Sequence, residues 1–148
     1  MISDGVLNPS GIRFGSAEIY EVVESFPEIE ETICVGQRRT QDEDESVILF
    51  IKMKGSLPLD EALAEKLRQA IKSARSSRHV PKHIFQVPDI PHTINGKKIE
   101  IAVKQIISGK QVTPAGTVAN PECFKLYEKY VNIEDVVQRT TSRTSAKL

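Results

Sequence analysis

Side chains able to do chemistry concentrate in one loop, Pro91-His92-Thr93-Ile94-Asn95-Gly96, which runs straight into Lys97 and Lys98. Asn-Gly is a strong turn signal. A lysine behind such a turn is held out from the backbone, where its ammonium can reach an anionic ligand. No G-x-x-x-x-G-K-[ST] is present, so this is not a phosphate-cradling P-loop. Lysines in polar loops are ordinarily solvated surface charges, so residue type alone does not assign a role. Four consecutive acids, Asp42-Glu43-Asp44-Glu45, lack the oxygen-ligand spacing of a calcium loop and read as a solvated turn. Cys34 and Cys123 are far apart without metal-ligand spacing, which indicates neither a disulfide framework nor a zinc site. His79 and His92 stand singly and are assigned no catalytic role.

These residues need elements to position them. Val6-Leu7 and Ile12-Arg13-Phe14 flank Asn8-Pro9-Ser10-Gly11 and predict a hairpin. Ser16 is placed to cap a helix carrying Ile19, Val22, Val23 and Phe26 on one stripe, with Pro27 as its stop. The β-branched runs Thr32–Val35 and Val47–Ile51 predict strands. Asp60 opens a second helix whose Leu63, Leu67, Ala70, Ile71 and Ala74 are expected to face the core. A third strand is expected over His83–Val87, then a helix through Ala102, Val103, Ile106 and Ile107 closed by Gly109. Asn120-Pro121 supplies a cap and a first-turn proline for a short helix to about Tyr130. The expected fold is α+β: a small sheet with an N-terminal β-hairpin, covered by helices. Its main domain covers residues 1–108, followed by a linker and helix over 109–131 and a polar tail, expected to be disordered, over 132–148.

Bulk properties narrow the function. The chain has 148 residues, 39% of them hydrophobic, which suits one domain with a buried core. Twenty Lys+Arg balance twenty Asp+Glu and aromatics make up 5%, a poor composition for general nucleic-acid binding. No apolar run approaches the roughly 18 residues that suggest a membrane span, and no signal-peptide pattern follows Met1. Residues 1–74 hold 14 acidic and 8 basic side chains, while residues 75–148 hold 6 and 12. Such a split can mark a face that meets anions, or it can be incidental.

The motifs in order resemble the C-terminal domain of adenylate-forming enzymes, the acyl-CoA synthetase and luciferase superfamily. They are the stretch Asp4 to Arg13, the helix opening Ala17-Glu18-Ile19, and Pro91-x-Thr93-x-x-Gly96-Lys97. The resemblance extends from about Ser3 to Tyr130 and is closest to the acetoacetate-activating branch, which Arg78-His79-Val80-Pro81 resembles. Glu100 supports that branch, because most of the superfamily carries a basic residue there.

The resemblance implies a two-step reaction in which an acid and ATP form an acyl-adenylate and CoA then displaces AMP. The C-terminal domain would swivel between the two steps. Lys97 is implied as the adenylation lysine, Asp4 as the hinge, and Gly11, Arg13 and Lys72 as CoA-side residues. The hairpin would line the pantetheine tunnel. The implied partners are an N-terminal adenylation domain, acetoacetate, ATP and CoA, with Mg(2+) accompanying ATP on groups outside this chain. On this reading the chain alone is inactive. The alternative is a stand-alone binding or regulatory module without catalysis. The resemblance favours a cytoplasmic location, whereas the terminal Ala146-Lys147-Leu148 resembles a peroxisomal address and would favour import.

Overall fold

Two runs rich in β-branched residues build the centre of the molecule. In the computed structural model, which describes residues 6–7, 14–55, 57–112 and 116–136, they form the first two strands of a three-stranded sheet. The elements are β1 (Val6–Leu7), β2 (Phe14–Gly15), α1 (Ala17–Val23), β3 (Ile29–Gln37), β4 (Ser46–Met53), α2 (Glu61–Ala74), a 3-10 turn (Ser77–His79), β5 (His83–Gln86), α3 (Glu100–Ile107) and a 3-10 helix (Pro121–Asn132). β1 and β2 form the expected hairpin, with Val6 opposite Gly15 and Leu7 opposite Phe14. The sheet order is β3-β4-β5, antiparallel between β3 and β4 and parallel between β4 and β5. A parallel pair needs a crossover, and α2 supplies it. The α+β expectation therefore holds.

The central strand explains the two layers. Val47, Leu49, Ile51 and Met53 of β4 pack with Ile19, Val23, Leu63, Leu67 and Ile71 on one face. Ile48 and Phe50 pack with Val103, Ile106, Ile107, Phe124, Tyr127 and Tyr130 on the other. Alternating side chains of one strand thus serve both cores. Phe50 meets Tyr127 and Tyr130 edge-on, with ring centroids 5.0 and 4.9 Å apart. Buried Gln37 joins the second layer to the sheet, its amide nitrogen donating to the carbonyls of Ile107 at 2.7 Å and Tyr130 at 2.8 Å.

Several local expectations change. Asp60 caps α2 as expected, accepting from the Leu63 amide at 2.8 Å. Ala64 takes the buried position, however, while Ala70 is half-buried and Ala74 exposed. Ser16 is not a side-chain cap: its hydroxyl donates instead to Glu100 at 2.7 Å. Nor does Asn120 cap its helix. Its amide nitrogen donates to Asp89 and the Ile90 carbonyl, and its oxygen accepts from the His92 amide. The last helix is 3-10 because Phe124, Tyr127, Tyr130 and Ile133 recur every third residue, the repeat at which 3-10 side chains eclipse. Packing continues past residue 132, with Ile133 buried and Glu134 paired to Arg39. Gly109 ends α3 as expected, at φ 96°. Gly109 donates to Ile106 and Lys110 to Gln105, the paired bonds of a Schellman end.

The acidic turn is less solvated than expected. Asp42 meets Arg39 through two bonds of 2.9 Å. Glu45 lies across Gly36 and pairs with Lys104 at 3.2 Å. Asp4, Gly11, Arg13 and the tail Ala146-Lys147-Leu148 lie outside the described residues.

Candidate functional site

The Lys97 turn is assembled from backbone. Gly96 sits at φ 84°, a left-handed conformation disfavoured for residues with a Cβ. The Thr93 amide donates to the Lys97 carbonyl at 2.8 Å, and the Gly96 amide to the Thr93 carbonyl at 2.9 Å. The Lys97 amide donates to the Thr93 hydroxyl at 3.2 Å. His92 bridges Lys98 on one side of the turn, and Thr93 bridges Val118 on the other. The loop is thus a small three-segment clasp. Lys97 is exposed at its tip, and its ammonium has no hydrogen-bond or ion-pair partner among the described residues.

The residue that follows is held firmly. The Lys98 ammonium lies 3.7 Å from the centroid of the Tyr20 ring and pairs with the Glu24 carboxylate. Glu24 also accepts from the Thr32 amide at 3.1 Å and its hydroxyl at 2.8 Å. Tyr20 donates its hydroxyl proton to Glu100 and accepts the Cys34 amide proton at 2.9 Å. Burial, reinforced by Cys34 and Glu100, raises the Tyr20 phenol well above its ordinary pKa, so it stays a donor. Burial likewise raises the Cys34 thiol, which leaves it a core residue rather than a thiolate nucleophile. His92 pairs with Glu31 and tethers the other leg of the clasp to β3.

Lys72 is exposed on the last turn of α2, where a cation suits the carbonyl end of the helix. No hydrogen bond or ion pair joins it to the Lys97 turn among the described residues. Arg75, nearby, is pinned by Glu21 and by the Glu18 carbonyl. His79 is held between Ser76 at 2.8 Å and Glu18 at 3.0 Å, with its ring against Phe14. The Gly15 amide, and then His79, hold the Glu18 carboxyl below the usual carboxylate range. His79 therefore ties α1, β2 and the 3-10 turn together. The described residues contain no group of three or more His, Cys, Asp or Glu able to hold a metal ion.

Sequence reasoning overlooked Tyr20 and Glu24. Tyr20 lies on α1 and Glu24 caps its C-terminal end, four residues apart and beside the apolar stripe rather than in it, and that spacing places two side chains on one face.

Residues 18–97 match the model of the AMP-binding enzyme C-terminal domain. The chain is 49% identical over 133 residues to acetoacetyl-CoA synthetase of Gallus gallus, an alignment covering 90% of this chain and 20% of that protein. It is 46% identical over 132 residues to malonamoyl-CoA synthetase of Penicillium aethiopicum, covering 86% of this chain and 18% of that one. Among solved structures, acetoacetyl-CoA synthetase from Streptomyces lividans superposes with a TM-score of 0.73 at 37% identity, over 86% of this chain and 19% of that chain. The chain spans about a fifth of the length of the curated relatives it matches. It belongs to the AMP-binding enzyme C-terminal domain family.

Proposed function

We propose that the chain serves as the swivelling C-terminal lid of an ATP-dependent acid–CoA ligase of the acetoacetate type. The single observation behind this reading is Lys97, an exposed ammonium on a turn whose legs are tied down, one to β3 through His92 and the other to the α1 side through Lys98. In the adenylation pose that cation lies beside the acid carboxylate and the α-phosphate of ATP. Negative charge gathers there during in-line displacement of pyrophosphate, and a compact point charge on a long stem stabilises it. Mg(2+) accompanies ATP on groups outside this chain. The lid alone forms no adenylate, because one lysine cannot assemble the site.

In the thioester pose Gly11 leaves room for the pantetheine arm, Arg13 and Lys72 meet CoA phosphates, and Asp4 is the pivot. Two similar relatives bear the names of acetoacetyl-CoA and malonamoyl-CoA synthetases. Both acyl groups carry a carbonyl at the third carbon, so the substrate class is a short acid with a carbonyl at that position.

The test uses the chain joined to an adenylation domain, as in its full-length relatives. Lys97→Ala is expected to lower ATP–pyrophosphate exchange with acetoacetate about 100- to 1,000-fold while still converting supplied acetoacetyl-adenylate and CoA to thioester. Normal exchange in the variant would refute the role.

A further inference from the structure

We propose that Lys98 is a positioning residue whose clamp against Tyr20 and Glu24 aims the neighbouring Lys97 ammonium. The inference rests on the adenylation reading of Lys97. Lys98 lies in an antiparallel bridge with His92, and successive side chains of an extended segment point in opposite directions. Its side chain is 20% exposed and turned inward onto α1. That orientation commits Lys97 to the outward side, toward solvent and an incoming anion.

The partners of Lys98 cannot follow the loop if it shifts. Tyr20 is fixed by Glu100 and the Cys34 amide, and Glu24 by two donors of Thr32. Glu24 also neutralises Lys98, so Lys97 carries the unbalanced positive charge of this lysine pair. An adjacent unpaired ammonium would repel Lys97 and compete for the same anion. Glu100 acts through Tyr20, which gives the acid at this position a task in the domain's own frame.

The experiment compares Lys98→Met, Glu24→Gln and Lys98→Arg, with Lys97→Ala as control, in the chain joined to an adenylation domain. ATP–pyrophosphate exchange with acetoacetate reads the first half-reaction, and thioester formation from supplied acetoacetyl-adenylate reads the second. Lys98→Met and Glu24→Gln are expected to lower kcat of the first about 10- to 100-fold, the scale of an ångström-size misplacement. KM for ATP and the second half-reaction should stay within about twofold. Lys98→Arg, which keeps the cation against the ring, should retain most of the activity. Amide exchange at Thr93 and Lys97 of the 148-residue chain should accelerate in Lys98→Met and Glu24→Gln.

Equal losses in both half-reactions would mean a merely structural residue and overturn the proposal, as would unchanged exchange at Thr93 and Lys97. Loss in Lys97→Ala with none in Lys98→Met would overturn the positioning role alone. Normal pyrophosphate exchange in Lys97→Ala would remove the adenylation reading and the positioning role together.

Discussion

Lys97 ends in solvent with no partner among the described residues, whereas Lys98, one position later, lies between the Glu24 carboxylate and the Tyr20 ring at 20% exposure. Both belong to the same Gly-Lys-Lys motif. What separates them is direction: the bridge of Lys98 to His92 turns it toward α1 and turns its neighbour away. A motif marks where cations sit. The surrounding elements decide which of them is left free to meet a ligand.

The contrast can be broken from either side. The largest effect is expected from Lys97→Ala, which should reduce adenylation about 100- to 1,000-fold, the usual scale for losing one preorganised charge-stabilising group. Its thermal midpoint should hardly move, since an exposed surface substitution stays within about 0.5 kcal/mol; calorimetry on the 148-residue chain checks this. Glu100→Arg attacks the clamped side. It sets a cation where the Ser16 and Tyr20 hydroxyls donate, near Lys98, and should cost up to about 3 kcal/mol in urea unfolding.

Gly96→Ala should cost roughly 1 kcal/mol from the left-handed backbone alone. Nothing lies within 4 Å of the added methyl, so the loss should appear as faster amide exchange in the turn and little change in global unfolding.

The smallest effect concerns Arg39, a cation satisfied more fully than Lys98. It is 8% exposed and bonds Asp42, Glu134 and the Val131 carbonyl. Its hydrogen bonds hold Asp42 below the usual carboxylate range and Glu134 down to about 2. A folded-state pKa below the unfolded value means stability is contributed above the unfolded value and lost as pH falls through the folded one. For Glu134 that window runs from its ordinary 4.5 down to about 2. Arg39→Met should flatten the acid limb of stability over this range, measured by urea unfolding at stepped pH. Glu134 is 65% exposed, so added salt should weaken the wild-type dependence.

The sheet and α2 were legible because β-branched runs and the Asp60 cap act locally. The hydroxyl of Ser16 was not, because Glu100, eighty-four residues away, outbids the helix amides for it. The threefold repeat from Phe124 to Ile133 was present in the sequence, but it selects a 3-10 helix only when Phe50 and its neighbours lie beneath it. The charge split has a physical account in pairing between the halves. Glu21 meets Arg75, Glu24 meets Lys98 and Glu45 meets Lys104. For the candidate site, the sequence marked the lysine turn but not the clamp, because Tyr20 and Glu24 meet Lys98 only once α1 and the turn pack together. Of the other implied site residues, Lys72 lies on α2, and Asp4, Gly11 and Arg13 fall outside the described residues.

The double grip of Gln37 on Ile107 and Tyr130 bears on how the domain can be divided. The family match stops at residue 97, yet α3 and the 3-10 helix beyond it cover Ile33, Val35, Ile48 and Phe50. A polypeptide trimmed to the matched segment would present that whole face of the sheet to water and leave the Gln37 amide nitrogen without its two carbonyls. Bare apolar surface of that kind drives self-association. The matched segment can be recognised by itself, but it is not a unit that can be cut out and kept soluble.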